Sequence, residues 1–167
     1  METIILVILT ISLGLFPLQA KADAPYRLAA HDLPIPQTSP SRLIATEQEV
    51  NEFFDSYIER YTRKDTGGFL WLFSSNAIQN QTDRLPAIRE IYNNFFGQAR
   101  TLHCRFEDRK VEIYENAVEV KARYEIEQIL KLNGEKKILK GQIRWVLTKE
   151  GGILRILSID YKHEKTH

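Results

Sequence analysis

Cysteine is nearly absent from this sequence, because Cys104 is the only one among 167 residues. A single thiol excludes an internal disulfide, and it is too few for the paired cysteines of a structural zinc site. No glycine-rich loop leads from a predicted strand into a helix, which is the arrangement that holds the phosphates of nucleotide cofactors. The sequence therefore predicts no metal ion and no cofactor.

An excess of one charge is also missing. The chain has 23 lysine and arginine residues against 22 aspartate and glutamate residues, which gives a formal net charge of +1. Proteins that bind nucleic acid or anionic membranes usually carry a marked excess of basic residues. We therefore expect no nucleic-acid partner and no electrostatic contact with a membrane.

The long apolar run of the chain is IILVILTISLGLFPL, from Ile4 to Leu18, and QAKADA follows it. This pattern is typical of a secretory signal peptide, with Ala20 and Ala22 at the cleavage site. We predict a signal peptide at residues 1–22 and a periplasmic or secreted protein. Because no lysine or arginine precedes the run, an uncleaved membrane anchor stays open, although a span needs roughly 20 apolar residues.

Proline is concentrated directly after this run, where four of the six prolines lie within residues 23–45. Proline-rich segments without apolar periodicity are extended spacers. The sequence therefore predicts a tether at residues 23–45, followed by one folded domain at residues 46–167.

Two amphipathic helices are predicted at the start of that domain. TEQE, residues 46–49, forms a capping box, and apolar residues then recur at helical spacing, so the first helix should run to about Lys64. FLWLF, residues 69–73, predicts a short buried turn. A second helix should be capped by Thr82 or Asp83.

Beyond Gly97 apolar and polar residues alternate, which predicts four long antiparallel strands. A turn at residues 115–116 joins the first two of these strands. The apolar residues of the first strand have even numbers in its first half and odd numbers in its second half, so a bulge near residue 108 or 109 is expected. With that bulge, Phe106 lies opposite Tyr124.

Asn133-Gly134 lies between two strand-like runs and predicts a two-residue turn. That turn places Tyr124 opposite Ile143 on an apolar face, and Glu127 opposite Lys140 on a charged face. A slip of one residue would mix the two sets, so the pattern itself opposes it.

The last hairpin turns near Gly151-Gly152, and the sequence leaves two registers open. In one register Leu154 and Asp160 face inward, and in the other Ile159 and Tyr161 do. Apolar residues therefore lie on both sides of the last strand. This pattern suggests that a second subunit covers part of the outer face, which predicts a homodimer through the sheet.

Four stretches carry a resemblance to a known family: VNEFFDSYIERYTRKD, LFSSNAIQN, NAVEVKARYEI and GGILRILSIDY. Together with the order of elements, they resemble the nuclear transport factor 2-like superfamily, including its SnoaL-like and ketosteroid-isomerase-like branches, from about Thr46 to Lys162. The resemblance implies an α+β cone, in which a curved antiparallel sheet wraps around N-terminal helices. It also implies a cavity at the open end of the cone.

Large aromatic residues on the predicted inner face are the expected ligand-binding residues: Tyr57, Trp71, Tyr124 and Trp145. The resemblance implies that enzymes of this kind use a carboxylate, histidine or tyrosine whose pKa is shifted by burial in the cone. The ketosteroid-isomerase-like pattern needs a carboxylate on the first strand, and NAIQNQ contains none. Asp160 is the catalytic candidate, in the register that turns it inward.

The absence of an evident catalytic set favours an exported, non-catalytic domain that binds a small apolar molecule or a protein partner of the cell envelope. The alternative is a small-molecule isomerase, dehydratase or hydrolase that uses Asp160 and a tyrosine of the cavity.

Overall fold

A computed structural model describes residues 42–164 of the chain, which form three helices and six strands. The helices are α1 (Glu47–Thr62), α2 (Thr66–Trp71) and α3 (Leu85–Gln98). The strands are β1 (Phe73–Gln79), β2 (Asp83–Arg84), β3 (Ala99–Ile113), β4 (Val118–Leu130), β5 (Lys136–Glu150) and β6 (Ile153–His163). They form one curved sheet in the order β2-β1-β6-β5-β4-β3, in which only β1 and β6 pair in parallel. The predicted α+β class is confirmed.

The predicted signal peptide and all but the last residues of the predicted tether lie outside the described residues. Between residues 42 and 164, no helix is both long and apolar enough to cross a membrane.

Helix α1 begins with the predicted capping box. The backbone N–H of Glu49 donates to the hydroxyl of Thr46 at 3.2 Å, and the backbone N–H of Thr46 donates to the Glu49 carboxylate at 2.8 Å. The helix ends at Thr62, and Lys64 takes a left-handed φ of 58°, which terminates the helical path. Its buried residues are Val50, Phe53, Phe54, Tyr57 and Tyr61.

The start of α3 differs from the sequence prediction. Arg84, rather than Thr82 or Asp83, is the N-cap residue, and its side chain makes no capping hydrogen bond. The reason is that Asp83 and Arg84 pair with β1 as the short strand β2, so the chain enters the helix from an extended conformation. Pro86 lies in the first turn, where its missing N–H is tolerated.

The pairing of β3 with β4 follows the predicted register. Phe106 lies opposite Tyr124, and Ile113 lies opposite Val118. The expected bulge is present, because the pairing shifts between Glu107 and Lys110 and Asp108 takes a φ of 53°. This bulge lets apolar residues of both halves of β3 point to the same face of the sheet.

The register of β4 and β5 was predicted wrongly by two residues. Tyr124 lies opposite Gly141 instead of Ile143, because the loop spans residues 131–135 rather than two residues. The side chain of Asn133 accepts a hydrogen bond from the backbone N–H of Glu135 at 3.0 Å, and Gly134 takes a φ of 71°. A shift of two residues keeps every side chain on its predicted face.

The last strand combines both registers that the sequence left open. The turn is Gly151-Gly152, so Leu154 and Ile156 face inward, and Leu157 is then an extra residue in the pairing with β5. Beyond this bulge Ile159 is fully buried. The bulge therefore turns Ile156 and Ile159 inward together, whereas Ile153 and Leu157 stay 45% and 38% exposed, and the homodimer remains a prediction.

The core is an aromatic cluster between the helices and the inner face of the sheet. Trp145 is fully buried and makes edge-on contacts with Phe54 and Phe106, with ring centroids 4.9 Å apart in each case. Such contacts contribute about 0.5–1.5 kcal/mol each beyond the burial of apolar area. The cluster fills the space between the helices and the sheet, and the curved sheet itself is not closed.

Candidate functional site

The open end of the cone contains a cavity of about 330 Å³, which we call the cone cavity. It lies between α1 and α3 on one side and β3–β6 on the other. The residues that line it are mainly aromatic and aliphatic: Tyr57, Tyr61, Ile91, Tyr92, Phe95, Cys104, Tyr124, Ile126, Ile138, Leu139, Lys140, Ile143, Tyr161, His163 and Glu164. Lys140 of β5, His163 at the end of β6 and Glu164 directly after it are exposed and form its mouth.

The two helices supply three tyrosines to the wall of the cavity. Tyr57 and Tyr61 are one helical turn apart on α1, with stacked rings, and Tyr92 reaches the same space from α3. Burial raises the pKa of all three phenols well above the usual value of a tyrosine. They are therefore neutral near pH 7 and present hydroxyl groups, not charges.

The sheet supplies a hydrogen-bonded pair, Tyr124 on β4 and His163 on β6. The Tyr124 hydroxyl oxygen lies 2.6 Å from Nδ1 of His163. Gly141 of β5 lies between them, and a Cβ at this position would approach the Lys162 carbonyl oxygen to 2.0 Å and the Tyr124 hydroxyl to 2.9 Å. Any larger residue at position 141 would therefore collide with the atoms that form this pair and its strand. Burial raises the pKa of Tyr124 to about 12.

A second polar pair lies deeper in the fold. Gln79 of β1 is fully buried, and its Nε2 donates to the hydroxyl oxygen of Tyr161, on β6, at 3.5 Å. The Oε1 atom of Gln79 has no hydrogen-bond partner within the described residues. Tyr161 connects this amide to the cone cavity, which its side chain lines.

Cys104 of β3 also lines the cone cavity. Burial raises the pKa of its thiol to about 12, so the thiolate is scarcely populated at neutral pH. The sulfur therefore contributes apolar surface rather than a nucleophile.

Charged groups are confined to the mouth of the cavity. Glu164 is the one carboxylate among the lining residues, and it is exposed. The Lys140 ammonium lies 2.7 Å from the carboxylate of Glu125, so its charge is compensated on the outer face. Among residues 42–164 there is no group of three or more histidine, cysteine, aspartate or glutamate side chains that could hold a metal ion.

Solved structures of similar shape agree on one fold. The chain is similar to a nuclear transport factor 2-like superfamily protein from Salmonella enterica, with a TM-score of 0.63 and 18% identity over 71% of this chain and 91% of that chain. The described domain has the nuclear transport factor 2-like fold.

Two further structures with this fold have different assigned roles. One is a candidate scytalone dehydratase from Novosphingobium aromaticivorans, with a TM-score of 0.66 and 11% identity over 72% of this chain and 85% of that chain. The other is a candidate calcium/calmodulin dependent protein kinase II association domain from Xanthomonas campestris, with a TM-score of 0.64 and 14% identity over 74% of this chain and 91% of that chain. No family model and no curated protein matches the sequence.

The four predicted ligand-binding residues occupy different parts of this nuclear transport factor 2-like domain. Tyr57 and Tyr124 line the cone cavity. Trp145 belongs to the core behind the cavity, where it has no exposed surface. Trp71 is 45% exposed on the outside, where the guanidinium of Arg155 lies 4.1 Å from its ring centroid. In the short helix α2 only Phe69 and Leu70 are buried. The sequence predicted that Trp71 would be buried with them, and the structure corrects this.

Asp160, the predicted catalytic candidate, lies on the opposite face of the sheet from the cone cavity. The bulge at Leu157 turns it outward, and its carboxylate lies 3.6 Å from the guanidinium of Arg144. It lines an open groove of about 510 Å³ whose other charged residues include Lys121 and Arg123. The prediction that Asp160 faces the cavity, on which its candidate catalytic role rested, is therefore corrected.

Tyr61 and Tyr161 were not among the predicted ligand-binding residues, and Tyr92, His163 and the supporting Gln79 were not predicted to belong to a cavity. The spacing of Tyr61 from Tyr57 was a usable signal, because residues four apart share a helix face. For His163, the sequence pattern gave no indication that β6 extends far enough to pair with Gly141.

Proposed function

We propose that this domain binds a small, uncharged, largely apolar molecule in the cone cavity and does so without catalysis. The observation that carries the proposal is the lining, in which aromatic and aliphatic side chains surround a space of about 330 Å³ and charges stand only at the mouth. This volume is near the lower end of the range for pockets that enclose small molecules.

The buried phenols support a binding role over proton transfer. General acid–base catalysis is most effective when the pKa of the catalytic group is near the working pH. Burial moves the pKa values of Tyr57, Tyr61 and Tyr92 away from neutrality, so these groups suit hydrogen bonding and ring contacts. Structures with this fold include both a candidate dehydratase and a candidate association domain, so the fold by itself favours neither role.

Binding can be tested with N-phenyl-1-naphthylamine, a neutral dye whose fluorescence rises in apolar surroundings. We expect saturable binding by the protein, and loss of binding in Leu139→Trp, which fills the cavity from its wall. Ile153→Trp is the matched control, because Ile153 is 45% exposed outside the cavity. Equal dye binding by both variants and the unmodified protein would contradict the proposal.

Export to the cell envelope is part of the same proposal and rests on the apolar run and alanine pair at residues 4–22. An intact mass that begins at Asp23 supports cleavage, whereas a mass that includes Met1 or Glu2 indicates an uncleaved anchor. Native mass spectrometry of the protein from its own envelope fraction also separates a retained small molecule from a bound protein partner. A doubled mass would support the homodimer, which stays a prediction.

A second candidate function is an isomerase, dehydratase or hydrolase, and the pair of Tyr124 and His163 favours it. A phenol in short hydrogen-bond contact with an imidazole can exchange a proton with it, and both side chains face the cavity. If the molecule recovered from the envelope fraction is converted to a product by the protein, Tyr124→Phe should abolish the conversion. Unchanged conversion in that variant would exclude this pair from the chemistry.

A further inference from the structure

Gln79 is a fully buried side chain whose hydrogen-bonding capacity is mostly unused. Its amide has two donor hydrogens and an acceptor oxygen with two lone pairs. Within the described residues the amide makes one hydrogen bond, from Nε2 to Tyr161, and that bond is long at 3.5 Å. Buried polar groups of native proteins are nearly always paired, because an unpaired one costs about 1–3 kcal/mol. A buried amide with so few partners therefore indicates a role other than packing.

The partner of Gln79 defines that role. With the Gln79 amide oriented so that its nitrogen donates to the hydroxyl oxygen of Tyr161, the hydroxyl proton of Tyr161 is not used in this contact. The backbone N–H of Tyr161 is held by the side chain of Asn80 at 3.0 Å, which fixes this part of β6. Tyr161 lines the cone cavity, so its free proton is available to a molecule bound there.

The surroundings select a neutral acceptor. No charged side chain lies among the cavity residues contributed by α1, α3, β3 and β4, and the one lysine of the lining, Lys140, is paired with Glu125. A carboxylate or phosphate in this space would lose hydration without gaining a counter-charge. A carbonyl or ether oxygen would lose less hydration and would gain the Tyr161 hydrogen bond.

From this geometry we infer that Tyr161 donates a hydrogen bond to a neutral oxygen acceptor of the ligand, and that Gln79 is the residue that positions Tyr161 for it. The inference rests on the proposed binding function and adds the ligand class, which is apolar molecules carrying one uncharged acceptor oxygen. It also assigns a recognition role to Gln79 on β1 and to Tyr161 on β6, whose ring contacts that of His163 with centroids 5.4 Å apart.

Two probes of nearly equal shape test this inference: 1-indanone, which has a carbonyl group, and indane, which lacks it. The full chain should bind 1-indanone roughly tenfold more tightly than indane, as one net hydrogen bond allows. The carbonyl stretching frequency of bound 1-indanone should be lowered, because hydrogen bonding weakens the C=O bond. Calorimetric titration gives the affinity ratio, and infrared difference spectra give the frequency.

Tyr161→Phe should remove both the preference and the frequency shift while leaving indane binding unchanged. Gln79→Met, which keeps the length of the side chain, should reduce both effects without removing the hydroxyl. Tyr114→Phe is the matched control, since it deletes a hydroxyl at an exposed hairpin end and should change neither readout. Thermal melting of each variant confirms that it is folded.

The remaining outcomes separate this inference from the function on which it rests. If both probes bind and the preference survives in Tyr161→Phe, the inference is wrong and the cavity still binds apolar molecules. If both probes bind equally to the unmodified protein, the inference is also wrong. If neither probe binds, the proposed binding function is contradicted and the inference is contradicted with it.

Discussion

The hydroxyl of Tyr124 and Nδ1 of His163 lie 2.6 Å apart although they belong to β4 and β6, with β5 between them. Side chains on strands two positions apart rarely meet so closely, because neighbouring strands are about 4.8 Å apart and the intervening strand carries its own side chains. Here the intervening residue is Gly141, which pairs with both. The contact therefore depends on the side chain that is missing from β5.

Gly141→Ala should destabilise the domain by about 1–3 kcal/mol, the usual cost of overpacking, since the new Cβ would overlap the Lys162 carbonyl oxygen. It should also separate Tyr124 from His163. Urea denaturation measures the first effect, and the chemical shifts of the His163 ring measure the second. Gly97→Ala is the matched control on α3, where a Cβ meets no atom within 4 Å, and it should be neutral or stabilising by up to about 1 kcal/mol.

Tyr124→Phe keeps the ring and removes the hydrogen bond to His163. We expect a loss of about 0.5–1.5 kcal/mol in the free energy of unfolding, which is the net contribution of one hydrogen bond. In a protein that already carries His163→Phe, Tyr124→Phe should lower the free energy of unfolding much less than it does in the unmodified protein, because the hydrogen-bond partner is already absent. Additive effects in this double-mutant cycle would show that the two side chains do not interact in solution.

Stability should fall steeply between about pH 10 and pH 12. The pKa of Tyr124 is raised to about 12, and those of Tyr57, Tyr61 and Tyr92 are also raised by burial. The unfolded chain then loses its phenolic protons at a lower pH than the native chain, so unfolding is favoured as the pH passes the ordinary tyrosine value of about 10. This contribution is fully present below that value.

Urea titrations at a series of pH values measure the number of protons released on unfolding. Tyr57→Phe should reduce this number by about one, whereas Tyr114→Phe should reduce it less. The reason is that Tyr114 is exposed, with a pKa raised by its hydrogen bond to Glu112 rather than by burial. A flat profile up to pH 12 would contradict the burial of the four phenols.

Cys104 should react slowly with iodoacetamide in the native protein at pH 8, because its pKa is raised to about 12 by burial. Unfolding in urea should restore the rate of an ordinary thiol. Occupation of the cone cavity by N-phenyl-1-naphthylamine should slow the native reaction further, since Cys104 lines that cavity. A native rate equal to the unfolded rate would place the thiol outside the cavity.

The sequence predicted the faces of the sheet better than its registers. Alternation of apolar and charged residues is enough to assign Tyr124 to the inside and Glu127 to the outside, and both assignments are confirmed. The register of β4 and β5 depended on a loop whose length is set by the Asn133 side chain and the left-handed Gly134. The sequence does not reveal the length of this loop, because Asn-Gly suits both a two-residue turn and a longer loop.

The candidate site was predicted less well than the fold, for a physical reason. Aromatic residues of an apolar face can line a cavity or fill the core, and the sequence does not distinguish Tyr57 from Trp145 in this respect. Only the three-dimensional packing shows that Phe54 and Phe106 enclose Trp145 while Tyr57 borders empty space. The position of Asp160 depended on one inserted residue in β6, which alternation alone does not reveal.

That inserted residue, Leu157, divides β6 into two segments of opposite phase. The segment before it contributes Leu154 and Ile156 to the core, and the segment after it contributes Tyr161 to the wall of the cone cavity. Substitutions at the cavity-facing position Tyr161 can therefore alter which molecules are accepted without disturbing the first segment, which secures the fold together with Ile159. A strand built in this way can acquire new specificities at its end while its beginning continues to hold the protein together.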